Sequence, residues 1–140
     1  MWIGAAVLAA AVLLVALVLA NKSDDSSSAA GENRISGSFD DWLQSVCQSG
    51  TYIDGAQVPF INATGSGSCR PSHGYTGGRI WIGNWNSDYV MRNDMVAGHC
   101  TYYVSGRNGQ LITAFAVQGR SSEPLAPLTQ FGYSINTAGA

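Results

Sequence analysis

The first apolar stretch of the chain spans residues 2–20, in which no side chain is charged or strongly polar. A helix needs roughly 20 apolar residues to cross a bilayer, and a helix that is apolar on every side suits lipid better than a protein surface. The pattern therefore predicts a transmembrane anchor over residues 2–20, with the membrane as a partner. The alternative is a signal peptide cleaved at Ala20, which would give a secreted protein, although the run exceeds the usual signal core of about 7–15 residues.

Behind this run the apolar pattern breaks off. Residues 21–36 are mostly small and polar, as in flexible linkers, so we expect a polar stalk there. Residues 37–140 regain periodic apolar positions, and about a hundred residues suffice for one small core. The chain is thus expected to consist of an anchor, a stalk and one domain.

Three helices are predicted in this domain from capping residues and apolar spacing. Ser38 is a good N-cap, and Asp40 and Asp41 follow in the first turn, where the helix dipole favours negative charge. Ser87 is an N-cap of the same kind, and glycines are natural helix stops. The predicted helices run from Ser38 to Gly50, from Ser87 to Ala97 before Gly98, and from Pro124 to Gly132.

The strands are predicted from short β-rich runs. The clearest pair surrounds Gly106-Arg107-Asn108-Gly109, because Asn-Gly is a strong hairpin signal. By contrast, residues 62–78 contain five glycines with several Ser and Thr, which predicts a long irregular loop. Helices joined to a hairpin over residues 100–117 indicate an α+β domain with an antiparallel sheet. The predicted strands are Thr51–Ile53 with a turn at Asp54-Gly55, Arg79–Trp85, Cys100–Ser105 and Leu111–Val117.

Charge narrows the function classes. The chain carries 7 Lys+Arg against 9 Asp+Glu, a net charge of −2, and 11% of its residues are charged. Nucleic-acid binders show a basic excess or a basic stripe, so no nucleic-acid partner is expected. The 46% hydrophobic share is ordinary for a folded chain, which argues against wholesale disorder.

Three cysteines bear on redox state and on orientation in the membrane. We predict a Cys47–Cys69 disulfide, which would hold the end of the first helix to the glycine-rich segment, with Cys100 left as a buried thiol. Such a bridge needs an oxidising compartment and puts the domain outside the cytoplasm. The alternative is a cytoplasmic domain with reduced cysteines, which Lys22 and Arg34 after the anchor favour through the positive-inside tendency.

Metal and catalytic signals are weak. Cys69 and His73 are four residues apart and His99 adjoins Cys100, but no Cys-x-x-Cys is present and adjacent strand residues point to opposite faces. No metal and no cofactor are therefore expected. A cysteine hydrolase would need a thiolate beside a His, which Cys69 with His73 or His99 could supply. A small membrane-anchored hydrolase using Cys and His thus stays as the alternative function.

The carboxylates do not form a convincing acid–base pair. Asp40, Asp41 and Asp88 fit the first turns of helices, and Asp94 is expected to be solvated. The triplet Asn62-Ala63-Thr64 matches the glycosylation sequon, which also arises by chance.

Aromatic residues are the remaining binding signal. They are enriched in binding surfaces, but they are more often core residues. Both interpretations stay open: a packed core, or a binding groove rimmed by the glycine-rich segment. The candidate binding residues are Trp81, Trp85, Tyr75, Tyr89, Arg70 and His73.

The domain contains the short motifs Phe39-x-x-Trp42-x-x-x-x-Cys47, Gly50-Thr51-Tyr52-x-Asp54-Gly55, Asn62-Ala63-Thr64-Gly65, Cys69 and Phe131-Gly132-Tyr133. These motifs resemble those of small single-pass envelope proteins of mycobacteria and related actinobacteria, or of their phages. The chain has six Arg and one Lys, a ratio that agrees with a GC-rich genome. The resemblance implies an extracytoplasmic domain without assigned activity and transfers no catalytic residue. The expected function is a membrane-anchored, non-catalytic binding domain with a protein partner in the membrane or envelope.

Overall fold

The structure, a computed structural model, describes residues 34–55, 58–72 and 78–139. The predicted anchor over residues 2–20 lies outside the described residues, as does most of the predicted stalk. Within the described ranges, no helix combines the length and the apolar character needed to cross a bilayer. The described part is an α+β domain with a six-stranded antiparallel sheet and three helices, which confirms the fold class predicted for the domain.

The sheet is built from strands that all pair in antiparallel fashion. In chain order they are β1 Ile53–Asp54, β2 Gly65–Cys69, β3 Ile80–Trp85, β4 Tyr102–Asn108, β5 Leu111–Val117 and β6 Ser134–Thr137. Across the sheet the order is β1-β2-β3-β5-β4-β6. The predicted hairpin is present as β4 and β5, but its turn lies at Gly109 and Gln110. Gly109 has a φ of 68°, the positive value that a type II′ turn requires at its first central position.

Capping residues start the first two helices as predicted. The Oγ of Ser38 accepts a hydrogen bond from the backbone N–H of Asp41 at 3.2 Å. The carboxylate of Asp41 in turn accepts a hydrogen bond from the backbone N–H of Ser38 at 2.9 Å. This backbone hydrogen bond holds the pKa of Asp41 below its usual value. Ser87 caps the second helix, and Gly132, with a φ of 95°, ends the third. The helices are α1 Phe39–Val46, α2 Asp88–Ala97 and a 3₁₀ helix over Glu123–Phe131.

Helix α1 is shorter than predicted. It ends at Val46 rather than at Gly50, because Cys47 takes extended backbone, with a φ of −97° and a ψ of 139°. Cys47 forms a β-bridge with Pro71 and a disulfide with Cys69. The predicted disulfide is therefore confirmed, and it joins the end of α1 to the end of β2.

Both faces of the sheet are covered. One face packs against α1 and the 3₁₀ helix, in a core that includes Trp42, Ile82 and Phe115. The opposite face packs against α2 through a second cluster that includes Trp85 and Met91. Consequently β3 and β5 contribute to two cores, one on each side of the sheet.

Strand β2 corrects the prediction of an irregular loop over residues 62–78. It pairs with β3 along its whole length, from Gly65 opposite Asn84 to Cys69 opposite Ile80. Gly and Ser are poor strand formers, so neighbouring strands and the disulfide define this strand rather than its own composition. Strand β6 was not predicted, and β1 covers Ile53–Asp54 instead of Thr51–Ile53.

The residues at the end of the predicted stalk pack on the domain. The Ser36 N–H donates to the carbonyl of Phe131 at 2.8 Å, and Arg34 forms a β-bridge with Arg107. Ile35 covers Gly106 so closely that a Cβ there would lie 2.2 Å from Cγ2 of Ile35. The folded part therefore includes residues 34–36, ahead of the boundary predicted at residue 37.

Asp94 is buried, which corrects the prediction that it is solvated. Its side chain in α2 is only 1% exposed. Its carboxylate accepts hydrogen bonds from the indole N–H of Trp85 and from the backbone and side-chain nitrogens of Asn62, each at 2.9 Å. A buried carboxylate is tolerated when donors surround it in this way. Asp94 therefore ties α2 to β3 and to the segment before β2.

Candidate binding cleft

A cleft of about 290 Å³ opens between α1 and the end of the sheet nearest the β4–β5 turn. Its floor is a row of residues that lie opposite one another on three strands. Gly65 of β2 pairs with Asn84 of β3, and Asn84 pairs with Thr113 of β5. Alternation places this row on the α1 side of the sheet, because Ile80 and Ile82 share a face with Asn84. The row lies beyond the end of the apolar core.

The floor is held in one arrangement by a side-chain hydrogen bond. The hydroxyl of Thr113, which is buried, donates to Oδ1 of Asn84 at 2.7 Å. This bond fixes the orientation of the Asn84 amide. The Asn84 Nδ2 has no hydrogen-bond partner among the described residues, and it lies beside the position of Gly65. The cleft floor therefore presents an unused donor.

Two glycines of β2 make room on the floor. A Cβ on Gly65 would meet only Nδ2 of Asn84, at 3.6 Å, so the glycine leaves open space beside it. A Cβ on Gly67 would lie 2.6 Å from the Tyr52 hydroxyl oxygen. The ring of Tyr52 thus lies directly over Gly67, and the missing side chain is what permits this approach.

Tyr52, Phe39 and Asp54 form the wall opposite the β4–β5 turn. The rings of Phe39 and Tyr52 meet edge to face, with centroids 5.7 Å apart. The Tyr52 hydroxyl donates to Oδ1 of Asp54 at 3.2 Å. Burial, followed by the nearby Asp54 carboxylate, raises the pKa of Tyr52 to about 12. The phenol is therefore neutral at physiological pH and acts as the donor to Asp54.

The rim opposite this wall comes from the hairpin. Asn108 and Leu111 flank the β4–β5 turn and are both exposed, and Ser66 of β2 adds a hydroxyl. Of the side chains that line the cleft in the described part of the chain, only that of Asp54 carries a formal charge. The lining thus combines one carboxylate, two amides and three hydroxyls with apolar side chains.

Two further clefts are less well defined as sites. One, of about 330 Å³, lies beside the end of α1, where Gln44 and Gln48 are exposed and have no side-chain hydrogen bonds to other described residues. The other, of about 220 Å³, contains Arg79, whose guanidinium donates twice to the hydroxyl of Ser68. The cleft over the Asn84–Thr113 row differs from both because its floor is formed by residues that pair across three strands of the sheet.

The predicted binding residues that the structure describes do not line this cleft. Trp85 is fully buried under α2, where its ring meets Phe60 at a centroid distance of 5.0 Å. Tyr89 is 74% exposed on α2, and Arg70 is exposed just after β2. His73 and Tyr75 lie outside the described residues. Trp85 is thus a core residue, in agreement with the alternative interpretation of the aromatic pattern.

Trp81 occupies a position between core and surface. It is half-buried on the α2 side of the sheet, at the margin of the cluster around Trp85. Its indole N–H is buried and has no hydrogen-bond partner among the described residues. The residue lies on the face of the sheet opposite the cleft, because Trp81 and Ile82 are neighbours in β3.

The cysteines leave little scope for thiol chemistry. Cys69 is a disulfide partner and so cannot serve as a thiolate nucleophile. Cys100 is buried, and burial raises its pKa to about 11. His99, its neighbour, is exposed and has a positive φ of 56°. The described residues contain no group of three or more His, Cys, Asp or Glu side chains placed to hold a metal ion.

The sequence pattern did not predict the cleft, although the sequence carries a signal for it. Asn84 and Thr113 are polar residues at positions whose strand neighbours on the same face, Ile82 and Phe115, are buried and apolar. A polar residue at the end of an apolar face is easily taken for an ordinary strand end. Two such residues become informative only when the pairing of β3 with β5 is known.

Comparison with protein-family models, with curated proteins and with solved structures gave no match to this chain. The resemblance to actinobacterial envelope proteins therefore stays a prediction. The disulfide, the cleft and the sequence pattern are the features that bear on function.

Proposed function

We propose that the chain is a membrane-anchored extracytoplasmic binding domain without catalytic activity, and that the cleft over the Asn84–Thr113 row is its ligand site. Residues 2–20 would anchor it, and its partner would lie in the membrane or envelope. The protein nature of that partner remains a prediction from the sequence. The observation that carries the binding function is the cleft, a preformed concavity with fixed polar groups and an aromatic wall, as ligand sites commonly are.

The extracytoplasmic placement is supported by the Cys47–Cys69 disulfide. Cytosolic thiols are kept reduced, whereas disulfides persist in oxidising compartments. The basic residues Lys22 and Arg34 after the anchor favour the opposite orientation, with the domain in the cytoplasm. Two basic residues are a weak signal for membrane orientation. The disulfide is the stronger signal, because its formation depends directly on an oxidising compartment.

The absence of catalysis is supported by the state of the thiols. The alternative hydrolase would use Cys69 beside His73 or His99, but Cys69 is bonded to Cys47. The remaining thiol, that of Cys100, is buried and has a raised pKa. A nucleophilic thiolate is usually exposed and has a lowered pKa. Neither cysteine meets that description.

Placement can be tested in intact cells that express the full chain. Single-cysteine reporters at Gly119 and Tyr89, both exposed positions, are introduced into a Cys100→Ala background and treated with a membrane-impermeant maleimide. We expect labelling of both reporters without permeabilisation, in protein that stays with the membrane after alkaline washing. Labelling only after permeabilisation would contradict the proposal.

The same preparation decides between anchor and signal peptide. An anchored protein keeps residues 2–20, whereas cleavage at Ala20 would release a soluble protein that starts at Asn21. N-terminal sequencing of the mature protein is the measurement. Peptide mapping without reduction should recover Cys47 linked to Cys69.

A further inference from the structure

We propose that the cleft over the Asn84–Thr113 row binds a neutral polyhydroxylated molecule, of the size of one sugar ring. This inference rests on the proposed function, because it names the ligand class of the same site. Four features of the cleft support it: the hydrogen-bonding groups of the floor, the aromatic wall, the charge of the lining and the size.

The floor and wall present both donors and acceptors. The Asn84 Nδ2 is an unused donor beside Gly65, because Thr113 already occupies Oδ1. Asp54 uses Oδ1 to accept from Tyr52, which leaves Oδ2 as an acceptor without a partner among the described residues. A hydroxyl both donates and accepts, so neighbouring hydroxyls of one ligand can engage Asp54 and Asn84 together. A ligand with donors alone would leave the Asn84 amide unpaired.

The aromatic wall suits the apolar face of such a ligand. The rings of Tyr52 and Phe39 pack edge to face and so form one rigid surface. A sugar ring carries hydroxyls at its edge and C–H groups on its faces. An aromatic surface beside hydrogen-bonding groups therefore complements its two kinds of surface.

The charge of the lining argues against ionic ligands. Among the described residues that line the cleft, Asp54 has the only charged side chain, so an anion would be repelled. A small cation would meet Asp54, but also the Asn84 N–H groups, which repel positive charge. One carboxylate is too few for a divalent cation, which prefers six or more oxygen ligands.

The size of the cleft limits the ligand. Its volume of about 290 Å³ lies at the lower end of the range for small-molecule sites. One ring fits, and the open rim at Asn108 and Leu111 leaves space for a chain to continue into solvent. A terminal sugar of a longer glycan is compatible with this shape.

The test uses the full chain in phospholipid nanodiscs, since many detergents carry sugar head groups. Calorimetric titration with glucose, galactose, mannose and inositol should show saturable binding of at least one, with a Kd of about 1 mM. Binding should change less than about twofold between 50 and 500 mM salt, because no ion pair forms. A uronic acid and choline are the anionic and cationic probes.

Two cleft variants and one control make the result specific. Gly65→Val would fill the floor without backbone strain, since Gly65 does not have a positive φ. Asp54→Asn keeps the shape of an exposed side chain and removes the charge. Each should weaken binding at least about tenfold, a change of about 1.4 kcal/mol. Gly119→Val, at an exposed glycine with open space, is the matched control and should leave binding unchanged.

Three results would overturn the inference: no saturable binding of any neutral probe, binding that Gly65→Val and Asp54→Asn leave intact, or salt-sensitive binding of choline in preference to sugars. None of them affects the labelling experiment on membrane placement. Failure of the ligand class is thus distinguishable from failure of the proposed extracytoplasmic binding domain.

Discussion

Asp94 shows how a single side chain joins three parts of the fold. It lies in α2, yet its hydrogen-bond donors come from Trp85 of β3 and from Asn62. The Asp94 carboxylate is only 1% exposed, so these bonds replace its hydration. Hydrogen bonds to a charged group are stronger than neutral ones, which lets the carboxylate remain inside.

Replacement of Asp94 by Ala should lower the free energy of unfolding by about 2–4 kcal/mol, because the buried Trp85 N–H loses its acceptor. Urea unfolding measured by tryptophan fluorescence is the readout. Asp88→Ala is the matched control on the same helix. Its carboxylate pairs with Arg92 at the surface, so its loss should cost less than about 1 kcal/mol. Equal effects of the two variants would contradict the structural role assigned to Asp94.

Tyr52 should make stability depend on alkaline pH. Its pKa rises from 10 in the unfolded chain to about 12 in the folded one, so folding favours the neutral phenol. The contribution of Tyr52 to the free energy of unfolding is complete below about pH 10 and is lost as the pH rises from about 10 to about 12. Tyr52→Phe should therefore flatten this part of the stability profile, as followed by urea unfolding between pH 9 and 12.

Asp54→Asn separates the two causes of the raised pKa of Tyr52. Burial is the larger cause and the Asp54 carboxylate the smaller, so removal of the charge should lower the pKa only part of the way towards 10. Absorbance at 295 nm, compared with that of the Tyr52→Phe variant, isolates this residue from Tyr103 and Tyr133. A complete return to 10 would mean that burial contributes nothing.

Strand β2 illustrates an element that its surroundings define. Its sequence, Gly65-Ser66-Gly67-Ser68-Cys69, has little strand propensity. Its backbone is paired on both sides, with β1 and with β3, and its last residue is bonded to Cys47. Small side chains here serve a different purpose, since they admit the Tyr52 ring and open the cleft.

The double variant Cys47→Ser/Cys69→Ser should be less stable by about 3 kcal/mol. The bridge closes a loop with a sequence separation of 22, and loops of this size restrict the unfolded chain by about that amount. Because β2 is the element that depends on the bridge, its amides should lose protection from hydrogen exchange before those of β5 do. Unchanged stability, or uniform loss of protection, would contradict this account of β2.

In the described domain, the sheet lies between two layers of helix. Helix α1 and the 3₁₀ helix cover one face, and α2 covers the other. Cys100, at the start of the chain segment leading into β4, belongs to the core on the α2 side. Access of a reagent to this thiol therefore requires opening of that core.

Cys100 should report on global unfolding. With its pKa raised to about 11 by burial, the thiolate fraction at pH 8 is about 100-fold lower than at the ordinary pKa of 9.0. Alkylation by iodoacetamide at pH 8 should thus be at least about 100-fold slower in the folded protein than in urea. Mass spectrometry measures both rates, with the disulfide intact. Labelling at similar rates would show that the α2 side opens locally.

Features that depend on near neighbours in the chain were predictable. Helix starts at Ser38 and Ser87, the stop at Gly132, the alternation of β3 and the pairing of β4 with β5 all follow from capping, glycine conformation and short-range periodicity. The Cys47–Cys69 bridge also followed, because the glycine-rich segment had few other means of being held in place.

Features that depend on distant residues required the structure. Strand β2 exists because β1 and β3 pair with it, and Asp94 is buried because Trp85 and Asn62 meet it from elsewhere in the chain. The cleft likewise arises where the pairing register sets Gly65, Asn84 and Thr113 side by side. Composition and local propensity do not determine which strands distant in the sequence pair, or in what register. That pairing creates the site, whereas packing of α2 against Trp85 and Asn62 buries the Asp94 carboxylate.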